Sequence, residues 1–283
     1  MESDLEKLVE LAKEGDRKAL KDVLLAIKDN VFGLALRMLG SPVYAEDETQ
    51  EIFVKIITHL SGFRGDSAFK TWVYRVAANH LLSVRKRRAE RACSNFDDFA
   101  TEIDKGLAVG WQNKLSESEL KLRVDEMMIS CTQGMLLCLD RDHRLAYILG
   151  EVFEVSSEQG GYILDITPEA FRKRLSRSRK RLYNFMKEHC GLIDPSNPCK
   201  CEKHVLSGTA SDEDKSTYRL FTSYPCRGRY DPDILRRLNE YDELKRVAVV
   251  FHNHPDYTAP DFYAEKLKDL MDSGQFELFN GQN

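Results

Sequence analysis

The side chains best equipped to do chemistry lie between Arg64 and Arg91. There Arg64, Lys70, Arg75, Arg85, Lys86, Arg87, Arg88 and Arg91 face only Asp66 and Glu90 as opposing charges. Through the same stretch run Trp72, Val73, Val76, Ala77, Leu81 and Val84 at helical spacing. One face of such a helix packs into a core. The other, cationic and aromatic, suits a polyanion that also offers π-faces, which is nucleic acid with accessible bases. An amphipathic core helix with a solvated basic end accounts for the same pattern, and this helix alone does not separate the two. Asp66 or Ser67 is the expected cap. Just before it, Ser61-Gly62-Phe63-Arg64-Gly65-Asp66 reads as a tight turn presenting Phe63 and Arg64.

A second basic block follows Thr167-Pro168, a capping residue with proline at the first helical position. Phe171, Leu175, Leu182 and Met186 supply its core stripe. Arg172, Lys173, Arg174, Arg177, Arg179, Lys180, Arg181 and Lys187 cover the rest, with no acidic residue between 172 and 187. Ordinary surface helices mix signs to gain i,i+4 pairs. A helix through Leu145–Val152, a short element over 158–165 and this basic helix follow the order of a helix-turn-helix unit, whose second helix enters the major groove. A weaker signal is Cys199-Lys200-Cys201 with His204, three metal-ligand types close together. A single residue between cysteines misses the usual zinc spacing of two to four, so these remain weak metal candidates beside the plainer reading of packing thiols. No phosphate-binding glycine loop, nucleophile elbow or H-E-x-x-H pair appears, and nothing invites an enzyme.

The positioning elements are legible as helices. A short helix over residues 1–15 ends at Gly15, and Asp16 caps the next. Leu20, Val23, Leu24, Ile27, Val31, Leu34, Ala35 and Met38 then keep helical spacing until Gly40. Ser41-Pro42 opens a helix over about 43–60 with Ile52, Phe53, Ile56, Ile57 and Leu60 on one face. Its first turns carry Glu46, Asp47, Glu48, Gln50 and Glu51, which either stabilise the helix start through the macrodipole or form a docking surface for a basic partner. Residues 92–118 read as a polar, irregular linker with room for a short helix on Leu107, Val109 and Trp111. Helical spacing returns over 119–139, with Cys131 and Cys138 in the core stripe. From Cys190 the character changes: a proline-containing loop to Lys203, loose polar residues to 218, a helix over Ile234–Phe251 in which Val247–Phe251 could instead be a strand, and a final helix from Asp261. The expected fold is all-α.

The chain has 283 residues, 42 Lys+Arg against 46 Asp+Glu, and seven irregularly spaced cysteines. That size fits two domains with a further small unit, and the thiols fit a reducing compartment. No apolar run approaches the roughly 18–20 residues that span a bilayer, and the acidic N-terminus is neither a secretory signal nor a transit peptide, so a cytoplasmic protein without membrane contact is expected.

The stretch from Ala45 reads A-E-D-x-x-Q-E-x-F, then F-R-G-x-S-x-F-x-T-W, then R-x-A-x-N, in that order. It resembles region two of small bacterial sigma factors of the extracytoplasmic-function (ECF) type, in the sigma-70 superfamily. Residues from about 120 to 187 are similar to region four, where Gly160-Gly161 stands in place of a more regular E-I-A helix. The resemblance implies two small helical domains, 1–91 and 119–189, joined by the linker 92–118, with 190–283 as a mostly helical C-terminal extension of unassigned role. It implies a promoter-specificity subunit of RNA polymerase, not an enzyme, with no cofactor, whose partners are core RNA polymerase and promoter DNA; an anti-sigma factor is a further partner the family allows. Glu46, Asp47, Gln50, Glu51 and Phe53 match the polymerase-docking segment. Phe63, Arg64, Ser67, Phe69, Lys70 and Trp72 match the pocket for an unstacked minus-ten base, with Arg75, Asn79, Arg85, Lys86 and Arg88 along the strand. Thr167, Glu169, Arg172, Lys173, Ser176 and Arg177 match the reader of the minus-thirty-five duplex. The alternative is an autonomous helix-turn-helix regulator, metal- or redox-responsive through its C-terminal cysteines.

Overall fold

The computed structural model describes residues 2–85, 95–108, 115–207, 226–227, 231, 233–260, 263 and 265–266. Its helices, in chain order, are α1 (Glu2–Lys13), α2 (Arg17–Leu39), α3 (Pro42–His59), α4 (Phe69–Ser83), α5 (Phe96–Ala108), α6 (Glu117–Cys138), α7 (Arg141–Tyr147), α8 (Ser157–Leu164), α9 (Pro168–His189), α10 (Cys201–Ser207), α11 (Ile234–Arg237) and α12 (Glu243–His252). A two-residue strand β1 (Cys226–Arg227) pairs antiparallel with β2 (Asp256–Tyr257). The all-α expectation holds, and Val247–Phe251 is helix within α12.

Helix α2 is the axis. Asp16 caps it by accepting the Ala19 N–H at 2.9 Å, and Gly40 ends it at φ 66. That left-handed turn also brings Leu137 so close that a Cβ on Gly40 would lie 2.6 Å from its Cδ1, so glycine is required twice over. Every residue from Val31 to Gly40 is buried. A helix buried all round must be covered on every side. Helices α1, α3 and α4 cover it from one direction, α6 and α7 from another, and β2 from a third.

Two polar devices fasten these layers. His80 on α4 meets Glu48 of α3 at 2.6 Å and Lys55 at 2.8 Å, and Glu48 is therefore sealed inside instead of joining the acidic outer face. Arg144, at the middle of α7 and only 3 % exposed, donates to the carbonyls of Leu136, Leu137, Leu139 and Met38. It thereby satisfies acceptors that the ends of α6 and α2 leave open, and adds a second donor at Leu136, which also accepts the Leu139 N–H.

The expected linker is more ordered than its composition suggests. Over 13 residues it forms α5, which packs on α6 and α10 through Phe99, Leu107 and the buried Ile103. Val109 and Trp111 lie outside the described residues. The basic helix is shorter than its charge pattern. Ala68, not Asp66 or Ser67, takes the cap position without a side-chain bond, and the helix stops at Ser83. Arg85 is described and exposed, while Lys86 and Arg88 lie outside the described residues. In the extension the single helix expected over 234–251 is broken at Leu238–Glu240 by a 3-10 turn, with Asp242 capping α12 afresh. Cys138 is buried and Cys131 is half-buried, close to the core placement expected.

Candidate nucleic-acid interface

The first candidate surface is built on the Phe63–Trp72 segment. Phe69 stacks on Trp72 with centroids 5.7 Å apart at 24°, and Phe63 meets Phe69 edge-on at 5.3 Å. Burial grades across the three rings. Phe69 is 1 % exposed, Phe63 is 5 % exposed, and Trp72 is half-buried. Phe63 and Phe69 therefore show little ring surface in this arrangement. Their rings bury most of their area against α4 and the core, as large aromatics do, and they hold Trp72 as the presented plate. Arg64 and Lys70 are exposed around it, Ser67 is half-buried, and Asn79 is exposed a further two turns along α4. Arg75 is already engaged. Its guanidinium donates to the Tyr162 carbonyl at 2.9 Å and pairs with Asp165 at 2.9 Å, with the Tyr162 ring 4.8 Å away.

The second candidate surface is α9, fixed on α8 by two glycines. A Cβ on Gly160 would lie 2.4 Å from the Phe171 ring, and one on Gly161 would lie 2.8 Å from the Ile166 carbonyl oxygen. The dipeptide departs from the family pattern because α8 here lies hard against Phe171, not because the helix is missing. A capping box at Ser156 and Gln159 starts α8, and Thr167 caps α9 by accepting the Ala170 N–H at 3.1 Å.

Charge on α9 divides by face. Arg174 pairs with Asp142 at 2.8 Å, Arg181 with Asp140 at 3.1 Å, and Arg179 with the buried Glu151. These arginines fasten α9 to α7 and to the π-helical turn Ile148–Val152 that follows it. Thr167, Glu169, Arg172, Lys173, Ser176 and Arg177 are all exposed. Lys173 meets Glu169 at 2.6 Å and Arg172 reaches Glu158 only at 4.0 Å, both solvent-exposed contacts of small net energy. The missing opposite charges therefore come from other helices. Sequence order conceals this, since only the folded unit sets Asp140, Asp142 and Glu151 against α9.

On α3, Asp47 and Glu51 are exposed and Glu46 and Gln50 are half-buried. Phe53 is 0 % exposed, in the core beside the Tyr263 ring at 6.3 Å. The cysteines form a packed group. Cys190 and Cys199 face each other across a parallel bridge, and Cys199 Sγ lies 3.4 Å from His204 Nε2. Burial pushes the Cys199 thiol up to about 12, and the thiols of Cys131, Cys190 and Cys201 are raised for the same reason. Neutral, buried thiols are inert packing groups. Among the described residues, no group of three or more His, Cys, Asp or Glu side chains is placed to hold a metal ion. No described helix is long and apolar enough to cross a membrane.

The described residues thus combine an aromatic-backed cationic helix near the N-terminus with a helix-turn-helix behind it. The sigma-70 region 2 family model matches residues 25–91. The ECF RNA polymerase sigma-E factor of Escherichia coli is 31% identical over 177 residues, covering 62% of this chain and 91% of that protein. The ECF RNA polymerase sigma factor SigW of Bacillus subtilis is 28% identical over 190 residues, covering 66% of this chain and all of SigW. RNA polymerase sigma-H factor of Pseudomonas aeruginosa is 29% identical over 181 residues, covering 62% and 91%. The chain belongs to the ECF sigma factors of the sigma-70 superfamily, and about a third of it lies outside these alignments.

Proposed function

We propose that the chain acts as the promoter-specificity subunit of RNA polymerase in three separable steps. The exposed carboxylates of α3, Asp47 and Glu51 with Glu46 and Gln50 beside them, dock on a basic surface of core RNA polymerase. Trp72, braced by Phe63 and Phe69, receives an unstacked minus-ten base while Arg64 and Lys70 hold the strand. The outward set on α9, Arg172, Lys173, Ser176 and Arg177, reads the minus-thirty-five duplex from the major groove. Unstacking a base costs a few kcal/mol, and a rigid ring with flanking hydrogen-bond donors offsets it. Phosphate contacts set register, and base-edge contacts carry the sequence information. No catalysis is assigned to the chain itself; it supplies recognition and strand capture to the polymerase. Residues 1–91, 119–189 and 190–283 serve in this reading as strand reader, duplex reader and extension.

The single observation that carries this reading is the graded burial of the aromatic triad. A protein that binds only duplex has no use for an indole plate presented among cations and held from behind by two buried rings. The test is promoter opening by core polymerase with the full chain, scored separately from polymerase binding. Trp72→Ala is expected to slow opening by roughly tenfold or more, since base stacking on an aromatic is worth about 1–3 kcal/mol, while polymerase affinity stays within about twofold of wild type. Equal losses in both assays would remove strand capture from this site. Arg172→Ala is expected to weaken binding to the upstream duplex by on the order of 1–3 kcal/mol at one base position. A uniform loss across all sequences would make Arg172 a phosphate contact instead.

A further inference from the structure

The extension does not hang free of the two readers. Residues 253–260 and Tyr263 run across α2 and reach the polymerase-docking helix. Arg37 of α2 donates to the Pro255 carbonyl at 2.8 Å and lies 4.6 Å from the Tyr257 ring centroid. Asp29 accepts the Ala259 N–H at 2.9 Å, and Lys28 reaches the Ala259 carbonyl at 3.3 Å. Tyr263, 0 % exposed, sets its ring 6.3 Å from both Phe32 and Phe53 and donates its hydroxyl to the Glu46 carbonyl at 2.6 Å. It thus sits on the turn of α3 that carries Glu46 and Gln50. The same segment also grips the second reader's scaffold. His254 is hydrogen-bonded to Thr132 on α6, and Phe251 meets the Tyr147 ring of α7 at 5.1 Å.

We propose that this segment is an intramolecular competitor for core polymerase: docked, it covers one side of the α3 docking surface and latches the two readers together, and polymerase binding displaces it. The latched arrangement is incompatible with promoter engagement on simple geometry. The minus-ten and minus-thirty-five elements lie roughly 25 base pairs apart by name, on the order of 85 Å of duplex. In the latched form Arg75 of α4 is hydrogen-bonded to the backbone of α8, so the readers touch. Arg75 on the strand face of α4 is released only when the bodies separate, and the Glu46 edge of α3 only when Tyr263 leaves it. The inference rests on α3 being the docking helix, and it gives the extension a role that the aligned relatives, which lack that part, do not.

Core-polymerase affinity of the full chain and of two full-length variants tests it. Tyr263→Ala removes the ring and hydroxyl over α3, and Ala259→Pro removes the N–H that Asp29 accepts. When a docked segment leaves about a tenth of the molecules competent, apparent affinity falls about tenfold. Each variant is therefore expected to bind core polymerase about five- to tenfold more tightly than wild type. Hydrogen exchange on the wild-type chain supplies a readout that needs no variant: the Ala259 amide should exchange faster once polymerase is added. Unchanged affinity in a folded variant, together with unchanged exchange at Ala259, overturns the latch while leaving the docking role of α3 in place. If wild type and variants alike fail to bind core polymerase, the docking assignment itself is wrong and the latch falls with it.

Discussion

Replacing Arg144 with leucine should lower the unfolding free energy by about 3–5 kcal/mol, the largest stability effect expected of any single change here. The reason is the number of acceptors that one side chain serves. Nε donates to Leu136, one terminal nitrogen to Leu137 and Leu139, and the other to Met38. Three of those carbonyls belong to the last turn of α6 or the residue after it, and the fourth to the end of α2. Leu136 keeps the Leu139 N–H at 3.1 Å, but each of the other buried carbonyls left unpaired costs about 1–3 kcal/mol, and some water entry reduces the sum. Leucine matches the apolar neighbours yet offers no donor, so packing gain cannot compensate. Urea unfolding checks it: the midpoint should fall with the slope unchanged. A loss below about 1 kcal/mol would mean that the α6–α7 corner repairs its own carbonyls. Lysine at this position should recover only part of the loss, because an ammonium cannot spread donors over four acceptors in a plane.

Gly160→Ala should abolish upstream-duplex binding while leaving polymerase docking nearly intact. An alanine in a helix normally adds about 1 kcal/mol of stability over glycine. Here the added carbon would stand 2.4 Å from the Phe171 ring, and three ring atoms crowd it within 2.7 Å. The overlap forces α8 away from α9, and overpacking of this kind costs typically 1–3 kcal/mol. The α8–α9 angle sets where Arg172 and Lys173 point, so a small displacement removes duplex reading before it unfolds the chain. A compensating Gly160→Ala with Phe171→Leu double variant should regain binding, since leucine vacates the space that the ring occupied. Duplex-binding titrations on the two variants and wild type decide it. Normal binding by the single variant would show that α8 tolerates displacement without moving the reading face.

Neither prediction could be written from periodicity. Gly160-Gly161 looks like a defect in a helix until Phe171 is seen against it. Arg144 belongs to no motif or apolar stripe, and only its four carbonyl partners reveal its part. The same distinction runs through the candidate sites. Phe53, Phe63 and Phe69 sit in motif positions whose resemblance marks them for partner contact, and the fold buries all three rings in the core. The arginines of α9 read as one uniform basic surface, yet three of them are tied down by acids contributed by other helices. Residues 92–118 read as irregular because their apolar positions are sparse, yet Ile103 and Phe99 suffice to hold a helix against α6.

The amino-acid order on its own determined most of the helices through residue 189, where Asp16, Thr167 and Pro168 start them, and which family the chain resembles, because local spacing and capping act over a turn or two. Which cations stay available to DNA, which rings remain at the surface, and where the extension comes to rest were decided only by tertiary packing. Those outcomes depend on partners more than a hundred residues away, such as Arg37 with Pro255 and Glu46 with Tyr263. No local pattern encodes a contact of that range, since it is the shared burial of distant side chains around α2 that selects it.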